Sequence, residues 1–537
     1  MKMKEGENMN YWDIIFIGIY LPLTVIIYNF IKQKNRWKVL LISSYIFFWS
    51  ISGKLLIYLL MTTLLMHYFG LWITEIRNEM DDTLANSDKS LKKEIKNKYK
   101  ARERKILIFT ILIIVGMLII LKYSEFLGKN INTVLEFISF PIQINIQKYM
   151  IPIGISFYTM QAISYICDIY LGKIKADRNI RRLALFISFF PQIMEGPICR
   201  YSQTADKLWE GRDITYENLT FGIQRILYGI LKKTIIADRL NPLILNVFDN
   251  YAKYDGGIIT ASAALYTLQL YMDFSGTMDI VIGIAEIFGV DLPENFRQPF
   301  FSKTISEFWT RWHITLGTWF KDYIYYPVLM SKRCKKLMKP SKKILGNYFG
   351  TLFVSSIALF CVWFLNGVWH GSGWNYIFFG MYHFVLIITG RLIEPAVKNV
   401  NKKLHINSNN FIYFGLQIIR TTCLVFIGEM FFRANGLKSG ISMFVKLITQ
   451  FKFNSLINGN MLSLGLDKKD FMVIFAVTII IFVIGILRER GIRIRHSISK
   501  RNIVIRWLVY YVLILMIIIL GAYGLGYKPV DPMYAQF

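Results

Sequence analysis

His370 is the residue whose neighbours most invite chemistry. It closes the run Asn366-Gly367-Val368-Trp369-His370, and Gly371, Gly373 and Trp374 follow it. On a helix, Asn366 and His370 lie one turn apart on a shared face. The glycines permit close approach of backbone or substrate. A neutral imidazole is the natural general base near pH 7. The competing reading is a core histidine with satisfied ring nitrogens. His313 ends a second aromatic stretch, Phe308-Trp309-Thr310-Arg311-Trp312-His313. An interfacial histidine with its tip in water is the alternative there. His383, within Tyr382-His383-Phe384, reads as structural. His67, His405 and His496 carry no signal.

Carboxylates are the other group whose placement matters. Glu195, Asp273, Asp279 and Glu286 fall in segments that otherwise read as apolar. A charge at the centre of a membrane helix costs about 2.5–3.5 kcal/mol on insertion scales, so each carries a functional hypothesis. The bland reading is a buried ion pair, Glu195 with Arg200 for instance, since such pairs also perturb buried groups.

These residues are positioned by membrane helices. Hydrophobic residues make up 54% of the 537-residue chain and aromatics 16%, yet the formal charge is +28. Apolar spans with Lys and Arg gathered in loops combine those extremes; a soluble core does not. A span needs roughly 20 apolar residues. Clean candidates are 12–31, 38–52 with its flank, 55–74, 106–122, 149–171, 348–369, 374–394, 410–431, 471–487 and 505–524. The segments 183–199, with Pro191 and Pro197, and 258–290, with Asp273-Phe274-Ser275-Gly276, are less regular. They read as interior and re-entrant, because broken or polar helices at membrane depth need protein or a wet cavity around them. Amphipathic stretches at 214–240 and 302–327 read as helices in the interface.

Every other loop is basic: Lys32 to Lys38, Lys89 to Lys105, Lys173 to Arg182, Lys332 to Lys343, Arg391 to Lys403 and Arg488 to Arg506. The positive-inside rule makes these loops cytoplasmic and puts both termini outside. His370 then lies near the outer end of its helix. Nucleic-acid binding is disfavoured, because the basic runs alternate with apolar spans. The five cysteines are scattered and form no CxxC pair, so neither a zinc site nor a disulfide framework is expected. No metal is expected. The first apolar run is long enough to remain as a span rather than a cleaved signal. Phosphate-binding, zinc-protease and serine-hydrolase motifs are absent.

Several motifs together resemble the membrane-bound O-acyltransferase family, in its bacterial branch of alginate O-acetylation and teichoic acid D-alanylation. They are Pro152-Ile153-Gly154-Ile155-Ser156-Phe157-Tyr158, Phe190-Pro191-Gln192 and Gly196-Pro197-Ile198-Cys199-Arg200. Next stand Ile235-Ile236-Ala237-Asp238-Arg239, Gln269-Leu270-Tyr271-Met272-Asp273-Phe274-Ser275-Gly276 and Pro293-Glu294-Asn295-Phe296. The stretches around His313 and His370 complete the set, and the similarity runs from about residue 10 to the C-terminus. Glu195 departs from the small residue common in this branch.

The resemblance implies an all-α membrane protein: about 10–12 membrane helices plus interfacial and re-entrant ones, in a ring around a central tunnel. It implies a single multi-pass domain over 1–537, with a catalytic core at 149–384 and C-terminal helices at 385–537 ending in an extracellular tail. His370 falls on the family's catalytic histidine and His313 on its supporting one. Asn366, Asn295, Trp309, Trp312, Trp369, Asp273, Ser275, Gln269 and Arg200 become candidates for the donor site or tunnel. The implied donor is a cytoplasmic thioester, acetyl-CoA or an acylated carrier protein, with no permanently bound cofactor. The implied acceptor is a hydroxyl reached from outside. His370 would be its general base, while His313, with Asn295 or Asn366, would orient the donor or steady the oxyanion. The closing run Asp531-Pro532-Met533-Tyr534-Ala535-Gln536-Phe537 is similar to the branch's acyl-carrying tail, which makes Tyr534 a candidate acyl acceptor.

The expected function is O-acetylation of a cell-envelope or secreted polysaccharide from the plasma membrane, among membrane lipids, with an extracellular transferase- or esterase-like partner. D-alanyl transfer to teichoic acid is the alternative; chain length favours acetylation. A polysaccharide or lipid transporter is the reading from another class, and the two related halves it would need are not visible.

Overall fold

The computed structural model describes residues 10–13, 15–407, 410–523 and 527–530. Among them the chain is helical apart from loops and one isolated β-bridge, Phe296 to Trp312. Seven segments are long and apolar enough to cross a bilayer: Gln33–Ala85, Lys92–Phe137, Lys332–His370, Trp374–Lys403, Phe411–Arg433, Lys468–Glu489 and Ile503–Leu520. The chain is an all-α, multi-pass membrane protein.

Fewer segments meet that test than the apolar runs predict, for local reasons. Gln33–Ala85 holds two of the expected spans, Arg36–Ser52 and Leu56–Ala85, broken at Gly53 with φ +51°. The run from 12 to 31 yields a shorter apolar helix, Phe16–Phe30. The run from 149 to 171 yields Ile155–Tyr170, buried by protein along nearly all of its length. In 183–199 only the start is helical, ending at Ser188.

Two expectations are corrected. Gly256–Ile287 is interior as expected, with most of its residues buried, but it is one continuous helix of 32 residues rather than a re-entrant one. Asp273 and Asp279 on it are met by Lys233 and Lys232. The stretch 302–327 is not one interfacial helix. It is broken at Trp312 and His313, between a short helix Ile305–Arg311 and a second that starts as Ile314–Phe320 and continues through Lys321–Tyr325, and Trp312, Trp319 and Phe320 are buried.

The chain divides into two compact units. The first contains the residues up to Ile223 together with Val281–Pro293. Tyr11, Phe16, Phe47 and Phe190 form an aromatic core there, and Trp37 stacks on Trp209 at 4.2 Å. The second contains Gln224–Ile280 and the chain from Glu294 onward. It includes a helical hairpin. Lys332–His370, kinked at Gly346, turns through Gly371-Ser372-Gly373 into Trp374–Lys403. The crossing is a backbone contact: a Cβ at Gly367 would stand 2.5 Å from the Tyr376 carbonyl oxygen. Side chains larger than hydrogen would force the two helices apart there.

Candidate active site

His370 is the last residue of the Lys332–His370 helix and is buried. Its ring is packed edge-on by Trp369 at 5.0 Å, Phe432 at 5.2 Å and Phe379 at 5.8 Å. Trp369 also meets His313, ring centroids 5.7 Å apart, so a single indole joins the two histidines.

His313 is positioned by strain and by a fixed carboxamide. It sits in the left-handed region, φ 47° and ψ 51°, at the start of the Ile314–Phe320 helix. Few non-glycine residues adopt that conformation, and such outliers gather at functional sites. Asn295 Oδ1 accepts from the Thr315 backbone N–H at 3.0 Å and the Thr315 hydroxyl at 2.9 Å, and lies 3.3 Å from His313 Nδ1. A backbone N–H only donates, which identifies the Asn295 atom as the oxygen. His313 Nδ1 must therefore carry its proton, and in the neutral ring Nε2 holds the lone pair. Burial, reinforced by His370, holds the His313 imidazole well below its usual value. A neutral His313 in this tautomer accepts at Nε2. With no proton there, that form suits orienting a donor group more than steadying an oxyanion.

His383, read from sequence as structural, belongs to the same cluster. Its ring lies 4.9 Å from Trp309, 4.8 Å from Phe379 and 5.5 Å from Trp363. Trp309 Nε1–H donates to His383 Nδ1 at 3.2 Å. The proton of His383 is thus on Nε2, the tautomer opposite to His313. Gly428 leaves room for it: a Cβ there would stand 2.7 Å from His383 Nε2.

A cavity of about 590 Å³ opens beside this cluster. Ser355, Leu359, Trp363 and Asn366 line it along one face of the His370 helix, a length of about 16 Å at 1.5 Å per residue. Trp309, Trp312 and His313 also line it, and Lys321 and Arg391 stand among its polar lining residues. The volume suits a small-molecule ligand, and the walls are mostly apolar, as such sites are. The lining reaches Asn366, one helical turn before His370.

The other candidates lie elsewhere. Trp369 and Asn295 are the exceptions and contact the histidines directly. Asp273 pairs with Lys233 at 2.8 Å, Ser275 accepts from Lys232 at 2.9 Å, and Gln269 donates to the Ala237 carbonyl at 3.1 Å. Asp279 takes Lys232 at 2.5 Å and Arg225 at 2.9 Å. The structure places these carboxylates in buried ion pairs. Arg200 lies in the first unit, where it donates to the Ile198 carbonyl. Tyr534 lies outside the described residues.

Sequence reasoning missed Thr315 and the packing of His383 against Trp309 and Trp363. Thr315, two residues after His313, is the kind of local polar signal that could have been read. His383 lies 74 residues from Trp309, and nothing in the local sequence joins them.

A family model for the membrane-bound O-acyltransferases matches residues 174–428, which include His313, His370 and His383. The chain is 30% identical over 432 residues to the probable alginate O-acetylase AlgI of Pseudomonas aeruginosa, covering 80% of this chain and 73% of that protein. It is 28% identical to the peptidoglycan O-acetyltransferase of Helicobacter pylori, over 64% of each chain. It is 34% identical to the teichoic acid D-alanyltransferase of Bacillus subtilis, over 45% of this chain and 59% of that one.

Proposed function

The chain belongs to the membrane-bound O-acyltransferase family and is a transmembrane O-acyltransferase, and on that premise we propose how its site works and what it serves. The observation that carries the reading is the cavity, whose lining includes Lys321, Arg391, His313 and Asn366, the last one turn before His370. A thioester donor suits this shape. Its phosphates meet Lys321 and Arg391, its slender arm fills the apolar stretch, and its carbonyl stops beside Asn366. The charge pattern of the loops puts the Arg391 end on the cytoplasmic side, where acetyl-CoA or an acylated carrier protein is available.

His370 takes the proton of the acceptor hydroxyl as its oxygen attacks the thioester carbonyl. The Asn366 carboxamide supplies N–H donors to the oxyanion. Collapse of the tetrahedral adduct expels the thiolate, which recovers the proton from His370. His313, neutral with its lone pair on Nε2, orients donor N–H or hydroxyl groups. The thioester is already activated, so positioning does most of the work.

The acceptor follows from the relatives. AlgI of Pseudomonas aeruginosa is named as an alginate O-acetylase, and it is matched over more of this chain than the D-alanyltransferase. An extracellular polysaccharide is thus the proposed final acceptor and acetyl the proposed group. Tyr534 is the proposed carrier, passing the group to an extracellular partner. Mass spectrometry of the purified protein tests this: an acetyl mass on the Tyr534 peptide, lost in His370→Ala, is expected. A D-alanyl mass would select the alternative. Normal polymer acetylation in Tyr534→Phe would remove the carrier step.

A further inference from the structure

The backbone of the C-terminal segment is seated on a charged cluster that the acyl-transfer chemistry does not use. Asp238 Oδ1 accepts the Val530 backbone N–H at 2.8 Å, and Lys233 Nζ donates to the Val530 carbonyl at 3.0 Å. Asn241 Nδ2 donates to the Lys528 carbonyl at 3.0 Å. Just upstream, Arg239 reaches the Leu520 carbonyl at 2.6 Å and the Tyr527 hydroxyl at 3.1 Å. The Tyr527 hydroxyl donates in turn to Asp470 at 2.6 Å, and Arg239 pairs with the same carboxylate. Lys233, Asp238 and Arg239 are buried. Both backbone polar groups of one residue, Val530, are therefore held by opposite charges of a fixed pair. That arrangement grips extended backbone without reading its side chain.

The same cluster touches the scaffold of the histidines. Lys233 also pairs with Asp273. The next residue, Phe274, packs edge-on against His313 at 4.9 Å. One further turn along, Met278 accepts from the carboxamide of Asn295, which fixes the His313 tautomer. A single stretch of the Gly256–Ile287 helix thus sets both the anchor of the segment and the position of His313. Tyr534 is four residues beyond Val530, which an extended chain spans in at most about 14 Å.

We propose that Lys233, Asp238 and Asn241 form a docking clamp for the chain's own C-terminal segment, and that the clamp sets the register from which Tyr534 is presented to the acyl site. These are positioning residues. The register half of the proposal rests on the reading of Tyr534 as acyl carrier; the docking half does not.

Asp238→Ala combined with Asn241→Ala tests docking in the full-length protein. Lys233 keeps Asp273 as its partner, so no buried ammonium is stranded. Amide hydrogen exchange at Tyr527, Lys528 and Val530 is expected to quicken by at least ~10-fold, with polymer acylation falling by a similar factor. Unchanged exchange, or a released segment with normal acylation, overturns the clamp. Should the double variant fail to fold, Asn241→Ala alone removes no charge and carries the same readouts.

Register is tested by two insertions. Two residues added between Tyr523 and Tyr527 lie upstream of the clamp and are expected to leave transfer within about 3-fold. Two added between Val530 and Asp531 displace Tyr534 and are expected to lower its acylation by at least ~10-fold. Equal effects from the two insertions overturn the register role. Absence of any acyl mass on wild-type Tyr534 overturns the register half and the carrier reading together. The exchange and polymer measurements then decide docking by themselves.

Discussion

Two buried polar clusters share the second unit, and they hold their members in different ways. Around His313 and His383 the partners named here are neutral: a carboxamide, a hydroxyl, a backbone amide, an indole N–H and a wall of rings. Around Lys232 and Lys233 the partners are carboxylates, Asp279, Asp273 and Asp238. A full opposite charge locks a proton in place, because the pair resists neutralisation in a low-dielectric setting. Neutral partners fix a ring's orientation and tautomer and leave its basicity to its surroundings. The carboxylate-paired cluster holds structure, and the proposed acyl-transfer reading assigns proton exchange to the histidine side alone, at His370.

The largest expected effect separates the two. His370→Ala should lower acyl transfer by about 10³-fold, within the usual range for removing a general base, with membrane insertion and thermal midpoint nearly unchanged. The comparison breaks if stability falls as steeply as activity. Lys232→Met is the converse. It strips one of two cations from buried Asp279 and should cost about 3–5 kcal/mol of stability. Molecules that remain folded should transfer far better than His370→Ala. Thermal unfolding in detergent and transfer per folded molecule read the two quantities.

Trp309→Phe is a smaller probe. It removes the N–H that His383 Nδ1 accepts and should cost about 1–3 kcal/mol for the orphaned acceptor. Trp309 also walls the cavity, so donor KM should rise with it. An unchanged KM and midpoint would remove His383 from the cluster.

The smallest expected effect is an absence of change. Burial keeps the His313 proton affinity well below its ordinary value. The ratio of wild-type to His313→Gln rates should therefore stay flat from about pH 8 to pH 6, spanning the unperturbed histidine value near 6.5. The stability sign follows. The unfolded ring binds a proton below about pH 6.5 and the folded one does not, so His313 makes folding less favourable as pH falls below that value. A rate ratio that collapses near pH 6.5 would show an imidazole that titrates normally.

What the sequence revealed depended on chain distance. Asn366, Trp369 and His370 form one local motif, so their shared setting was readable, as were most apolar runs. Asp273 and Asp279 were visible as costly charges in an interior segment, but their partners Lys232 and Lys233 sit on another element and could not be read from the local sequence. The aromatic stretch before His313 looked interfacial because its burial is supplied by distant residues such as Tyr271 and Trp363. The grip on Val530 joins residues 292 apart and had no local signature at all.

The decisive test is a double-mutant cycle on single-turnover acyl transfer from a thioester donor, with His370→Ala, His313→Gln and both together. Residues that act as one catalytic unit give strongly non-additive losses. If His370 and His313 serve one acyl-transfer centre, the double variant should be no slower than His370→Ala alone, within about 3-fold. Losses that multiply would show two histidines working independently and would contradict a single centre.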